Sequence, residues 1–192
     1  MKVYGLTGGL GMGKSTAAKI LDQRGLAVVD TDQLARQLVE PGQPALAEIQ
    51  QVFGRDVIAP DGQLRRGELA RLVFADESAR QKLEAILHPR IRKQWQVQVA
   101  AWRESGCRAA VVVIPLLFET GAESRFDAII CLACSSATQR ERLRSRGWSP
   151  EQIAARIAAQ WPVERKMEPA HHVIWTEGDV AALAEQLARV IV

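Results

Sequence analysis

Cysteine is scarce in this 192-residue chain, and its count is odd: Cys107, Cys131 and Cys134. Three thiols without a paired framework argue against a disulfide-stapled secreted domain and point to reduced thiols in a cytoplasmic protein. Cys131 and Cys134 form a C-x-x-C, but it lies in and just after an apolar run, DAIICLAC, with no second pair to complete a zinc site. Aromatic residues make up only 5% of the chain. A nucleic-acid binder of the stacking type needs aromatic platforms in a basic groove, so that class is disfavoured. The charge excess is small, 25 basic against 22 acidic residues, and a pocket for an anionic small molecule accounts for it. No apolar run is long enough to span a membrane. The chain enters an apolar segment at Lys2, which leaves no room for a signal peptide. Repeats and low-complexity segments are also missing. With 47% hydrophobic residues, one compact domain with an inserted subregion is expected.

What is present begins at Gly8-Gly9-Leu10-Gly11-Met12-Gly13-Lys14-Ser15, which fits G-x-x-x-x-G-K-[ST], the phosphate-binding P-loop. The context fits as well: KVYGLT (2–7) reads as a buried strand and Ser15 to Arg24 as the helix after it. The glycines let backbone N–H groups approach phosphate oxygens, and the helix start adds a positive dipole end. Lys14 is expected on the β- and γ-phosphates, the Ser15 hydroxyl on Mg²⁺, and Thr16 beside them.

LAVV (26–29) reads as a second strand and ends in Asp30-Thr31-Asp32. Acids at a strand's carboxyl end lie where open α/β sheets bind ligands. Asp32 therefore reads as a group that takes a proton or organises Mg²⁺, while helix capping accounts for Asp30. Gln33 to Val39 reads as a helix carrying Arg36, a surface charge or a phosphate ligand. From Ala45 to Gly106 the pattern is helical throughout, with a turn at Asp61-Gly62, an N-cap at Asp76 and an interruption at His88-Pro89. So long a helical stretch between two strands reads as an inserted cap for a phosphate acceptor. His88 is balanced between a helix-end residue and a substrate contact.

AAVVVI (109–114) is the most strand-like run and leads into Pro115-Leu116-Leu117-Phe118-Glu119. Glu119 is the lone acid there, facing substrate or capping a helix. DAIICL (127–132) and HVIW (172–175) read as the fourth and fifth strands, and Val180 to Val192 as a closing helix. After Ser135-Ser136 a helix carries Arg140, Arg142, Arg144 and Arg146. At 100° per residue, Arg142 and Arg146 share one flank and Arg140 and Arg144 the other, so at most one pair faces a nucleotide. A solvated basic face and a mobile lid that neutralises a transferring phosphoryl group both fit.

The chain has no guanine-reading N-K-x-D and no hydrophobic strand ending in Asp-Glu, so GTPase switches and motor or transporter ATPases are disfavoured. A small-molecule kinase remains. LTGGLGMGKST (6–16), VVDTDQLAR (28–36), LHPRIR (87–92), IPLLFE (114–119), TQRERLRSRG (138–147) and the IAAQ to Lys stretch (157–166) together resemble the dephospho-CoA kinase family. That resemblance implies an α/β, three-layer P-loop NTPase-type fold with a five-stranded parallel sheet. It implies one kinase domain over residues 1–192, a helical acceptor-side insertion at about 33–106 and a helical lid at about 138–165. The implied reaction phosphorylates the ribose 3′-hydroxyl of dephospho-CoA at the expense of ATP, with Mg²⁺, as the last step of coenzyme A synthesis. ATP would lie on Gly8 to Thr16. Asp32 would be the base, and Arg142 and Arg146 match the lid arginines. Arg36, His88, Pro115, Leu116, Leu117 and Glu119 would surround the acceptor. The implied partners are these two small molecules, with neither nucleic acid nor membrane; oligomeric state is left open. The family often carries A-D-x-V-I-x-N near the fifth strand, where this chain has His171 for the acid and Thr176 for the amide. Adenine contacts in that segment therefore stay unassigned.

Overall fold

Short apolar runs alternating with amphipathic segments fold as parallel strands joined by helices. A computed structural model describes residues 1–191. Along the chain it runs β1 (Lys2–Gly8), α1 (Lys14–Gln23), β2 (Ala27–Asp30), α2 (Thr31–Leu38), α3 (Pro44–Phe53), α4 (Arg66–Ala75) and α5 (Glu77–Glu104). It continues with β3 (Ala109–Val113), β4 (Ala128–Ala133), α6 (Ser136–Arg144), α7 (Pro150–Ala158), α8 (Val163–Met167), β5 (His172–Trp175) and α9 (Val180–Val190). The chain divides into two compact units, Thr31–Gln98 and the remainder.

The larger unit holds the five-stranded sheet, in the order β2-β3-β1-β4-β5 with every pairing parallel. β1 is therefore central, and its last residue, Gly8, is in register with Leu132 of β4. Alternation divides the strand side chains between two faces. Tyr4, Leu6, Val111, Val113, Ile130, Leu132 and Ile174 pack with Ile20 and Leu21 of α1 and Leu183 and Leu187 of α9. The opposite face lies against α8 and the segment after β3. Gly5 has no side chain because a Cβ there would stand 2.7 Å from Leu117 Cδ1 and 2.9 Å from Phe126. α9 ends at Val190, and Val192, the expected end of that helix, lies outside the described residues.

The smaller unit is helical around its own core of Leu38, Val39, Leu46, Ile49, Val57, Leu69 and Ile86. It departs from the expected pattern in two places. First, residues 45–106 are not helical throughout: an antiparallel bridge pairs Ile58 with Leu64 around the Asp61-Gly62 turn. There the Gly62 N–H donates to the Ala59 carbonyl, the Ala59 N–H donates to the Gln63 carbonyl, and Gly62 takes φ +83°, a conformation that only glycine adopts without strain. Second, His88-Pro89 does not interrupt a helix, because α5 runs through it. Proline removes the N–H that would bond the Ala85 carbonyl; one residue on, Arg90 Nη1 donates to the Ile86 carbonyl at 2.6 Å while Nη2 pairs with Glu48 at 2.6 Å, tying this turn to α3. Ile86 is buried in the unit's core, and packing of that face holds the turn. Asp76 caps α5 as expected, its carboxylate accepting the Ser78 N–H at 2.8 Å.

Candidate active site

The carboxyl end of the central strand is where a parallel sheet presents ligands to the chain that follows. Here β1 gives way to residues 9–13, and α1 starts at Lys14 with Gly13 as its N-cap. Gly8, Gly11 and Gly13 take φ values of +143°, +76° and +84°, which accounts for glycine at these positions. Lys14 Nζ reaches back to the Gly8 and Gly9 carbonyls at 2.8 Å each. Ser15 and Thr16 are exposed in the first turn of α1. The Met12 side chain is buried, with its sulfur against Gly9, so position 12 offers a ligand backbone only. Leu10 offers its N–H, its carbonyl being taken by Gln139 Nε2 at 2.7 Å.

Next to this loop is a cleft of about 350 Å³ lined by Gly11, Gly13, Thr16, Arg142, Arg146 and Thr176, among others. Arg140 and Arg144 line a separate groove, with Pro150, Ile153 and Ile157. The two arginine pairs are thus sorted: Arg142 and Arg146 share a cleft with the glycine loop, and Arg140 and Arg144 do not. Arg142 is fixed there, Nη1 donating to Thr176 Oγ1 at 2.9 Å and Nη2 to the Thr176 carbonyl. Thr176 is buried and also approaches the Met12 carbonyl at 3.5 Å. The next residue, Glu177, accepts the Ser135 N–H at 2.7 Å, and hydrogen bonds from Ser135 hold its carboxyl below the usual range.

The segment after β3 differs from expectation. Leu117 is fully buried under Gly5, so its side chain has no surface for a ligand. Glu119 neither caps a helix nor leaves its whole carboxylate for substrate. Its Oε1 pairs with Lys166 Nζ at 2.7 Å and accepts the Trp161 N–H at 3.0 Å. The physical reason is Lys166 itself, a fully buried ammonium that requires a counter-charge. Pro115 and Leu116 are half-buried. In the smaller unit, Asp32 is exposed in the first turn of α2 with Arg36 one turn on, and His88 is half-buried within α5.

Sequence reasoning passed over Gln139 and gave Thr176 and Lys166 no role in the site. Nothing in residue type marks Gln139; Thr176 and Lys166 were noticed only as a departure from, and a match to, a pattern. Cys131 is buried, and burial pushes its thiol up to about 11; such a thiol is a poor nucleophile near neutrality. Among the described residues no group of three or more His, Cys, Asp or Glu side chains could hold a metal, and no helix is long and apolar enough to cross a membrane.

A family model described as dephospho-CoA kinase matches residues 2–182. A dephospho-CoA kinase of Anaeromyxobacter dehalogenans is 45% identical over 192 residues, covering 100% of this chain and 91% of that protein. One from Bdellovibrio bacteriovorus is 39% identical over 191 residues, covering 100% and 95%. A solved structure from Thermus thermophilus superposes with TM-score 0.86 at 33% identity, covering 99% of this chain and 96% of that one. A P-loop on the central strand, an arginine pair in its cleft and a family match over nearly the whole chain lead to one conclusion: the chain belongs to the dephospho-CoA kinase family.

Proposed function

We propose that this protein transfers the γ-phosphoryl group of ATP to the ribose 3′-hydroxyl of dephospho-CoA, giving coenzyme A and ADP in the cytoplasm. The observation that carries the reading is the shared cleft of Gly11, Gly13, Thr16, Arg142 and Arg146. Backbone N–H groups of residues 8–16 bind the phosphates, and Lys14 leaves the Gly8 and Gly9 carbonyls for the β- and γ-phosphate oxygens. Arg142 and Arg146 neutralise the charge of the transferring group. Arg142 is already oriented by its two bonds to Thr176, so little reorganisation is needed. Asp32, exposed at the start of α2, takes the proton from the attacking hydroxyl. Arg36, His88, Pro115 and Leu116 contact the acceptor.

Ser15 presents a single hydroxyl in the first turn of α1. One protein oxygen fits a magnesium ion that keeps its waters and takes its other ligands from ATP. Bound with ATP, that ion would draw charge off the phosphates.

The test is ADP release by the purified protein with ATP and Mg²⁺, with and without dephospho-CoA, and mass analysis of the product. Acceptor-dependent ADP with one phosphate added at the 3′-position is the expected result. ADP release that ignores dephospho-CoA, or follows a nucleoside or sugar instead, overturns the acceptor assignment. Lys14→Ala should lose about 10²-fold or more in kcat while the far-ultraviolet spectrum is unchanged; normal turnover in that variant refutes the phosphate-loop role.

A further inference from the structure

Lys166 is the one charged side chain among the described residues with no exposure, at 0%. A cation in that position has no surface with which to touch a substrate, so any effect on the reaction passes through its partners. Its Nζ donates to Glu119 Oε1 at 2.7 Å and to the Pro115 carbonyl at 2.8 Å. Each acceptor is shared with a second donor. Glu119 Oε1 also accepts the Trp161 N–H at 3.0 Å, and the Pro115 carbonyl accepts the Thr7 hydroxyl at 3.2 Å. Thr7 directly precedes Gly8 and Gly9, whose carbonyls hold Lys14. α8 packs against β1 and β4, and the Cys131 thiol of β4 lies within electrostatic reach of Lys166, Lys14 and Glu119. The buried pair therefore sits under the phosphate loop.

Two features set this pair apart from ordinary core. Apolar side chains of similar volume stabilise a core at least as well as a buried ion pair, so stability alone does not account for the charges. Moreover, Glu119 Oε2 is buried and lacks a hydrogen-bond partner among the described residues. A half-matched buried carboxylate weakens a fold and marks a position kept for another purpose. We propose that Lys166 and Glu119 are a positioning pair for phosphoryl transfer, holding the 115–119 segment and the 161–166 segment in fixed register against the strand that feeds the phosphate loop. The inference rests on the kinase reading above. It gives a role to the Lys of the 157–166 stretch, which that reading leaves unused.

The test compares wild type, Lys166→Met, Glu119→Gln and the double variant, with Tm, ATP affinity, KM for both substrates and kcat measured for each. Lys166→Met strands a buried carboxylate and should lower both Tm and kcat. The double variant buries no charge and should regain most of the Tm. Its kcat should nevertheless stay about 100-fold below wild type, the size of effect that a misplacement of about 1 Å produces. KM for ATP should stay within about 3-fold, since ground-state binding is not what the pair supplies. A double variant whose kcat returns with its Tm shows that the pair only holds the fold, and overturns the proposal. Glu119→Gln keeps the carboxylate's shape and an acceptor for Lys166, so it is informative even if the double variant does not fold. Glu119→Gln should therefore keep most of kcat, and a loss there as deep as in the double variant also overturns the proposal. A wild-type protein that does not phosphorylate dephospho-CoA refutes the kinase reading and this proposal with it. An active wild type with a fully active double variant refutes the positioning role alone.

Discussion

Alanine at Gly8 and alanine at Gly13 should damage the phosphate loop by very different amounts, although both glycines belong to one motif. At Gly13, with φ +84°, an added Cβ meets Thr176 Cγ2 at 3.4 Å, an ordinary contact. The cost is then that of left-handed backbone in an L-residue, about 1–2 kcal/mol. At Gly8, with φ +143°, the Cβ would fall 2.4 Å from the Leu132 carbonyl oxygen. A backbone carbonyl cannot rotate away as a side chain can. Reaching even 3.0 Å requires a shift of about 0.6 Å in an interior packed too tightly to absorb it without strain. Gly8 and Leu132 are also register partners at the carboxyl end of β1 and β4, so the shift opens the ladder at the mouth of the site. A loss of about 3 kcal/mol or more is expected for Gly8→Ala, in the range of severe core lesions. At about 2–4 °C per kcal/mol for a chain of this length, Gly13→Ala should lower Tm by about 2–8 °C and Gly8→Ala by about 6–12 °C or more. Thermal unfolding followed by circular dichroism, with ATP titration of the folded protein, reads both effects. Gly13→Ala should still bind ATP, and Gly8→Ala should not bind it measurably. A Gly8→Ala protein as stable as Gly13→Ala refutes the reasoning, because the Leu132 carbonyl would then not confine the loop.

Asp32→Asn should lower kcat by about 10²–10⁴-fold and leave KM for ATP nearly unchanged; loss of ATP binding with turnover retained would make Asp32 a structural or metal-holding residue. Arg142→Ala should raise KM for ATP and lower kcat, together costing about 10²-fold or more in kcat/KM. Arg144→Ala, in the separate groove, should stay within about 2-fold of wild type, and equal losses in the two variants would refute the sorting of the arginines. Burial raises the Cys131 thiol from 9.0 to about 11, so the folded state keeps a proton that the unfolded state loses first. The stabilisation is fully present below pH 9 and is lost as pH rises towards 11. The wild-type stability relative to Cys131→Ala should therefore fall by up to about 1.4 kcal/mol per pH unit across that window; a flat difference in urea unfolding refutes the burial effect.

How much of this was legible in the sequence depends on how local each constraint is. The phosphate loop was, because its glycines answer to backbone angles set within eight residues. β1 and β3 were as well, since strands buried on both faces read as unbroken apolar runs. Pro89 misled because a local rule was set against distant packing: Ile86 in the core and the Arg90–Glu48 pair hold the turn despite one lost ladder bond. Lys166 was illegible as a buried cation because its partners, Pro115 and Glu119, are 51 and 47 residues away in sequence. Helical spacing alone separates Arg142 and Arg146 from Arg140 and Arg144, but only the cleft shows which pair lines one cavity with the glycine loop.

The two departures from the family pattern near β5 show the same principle from the other side, since three-dimensional contacts make sense of both. His171 stands where an acid is usual, and its Nδ1 accepts the Ile129 N–H at 3.1 Å. The Asp127 carboxylate does the same for the Val3 N–H at 2.7 Å. An imidazole can replace a carboxylate in such a place because only an acceptor is required, and it serves while Nδ1 carries no proton. Thr176 stands where an amide is usual and supplies a hydroxyl to Arg142 and to the Met12 carbonyl. It thus joins the arginine helix to the glycine loop with one side chain. Neither substitution removes a hydrogen bond that this fold needs, so the departures change the residues and keep the connections.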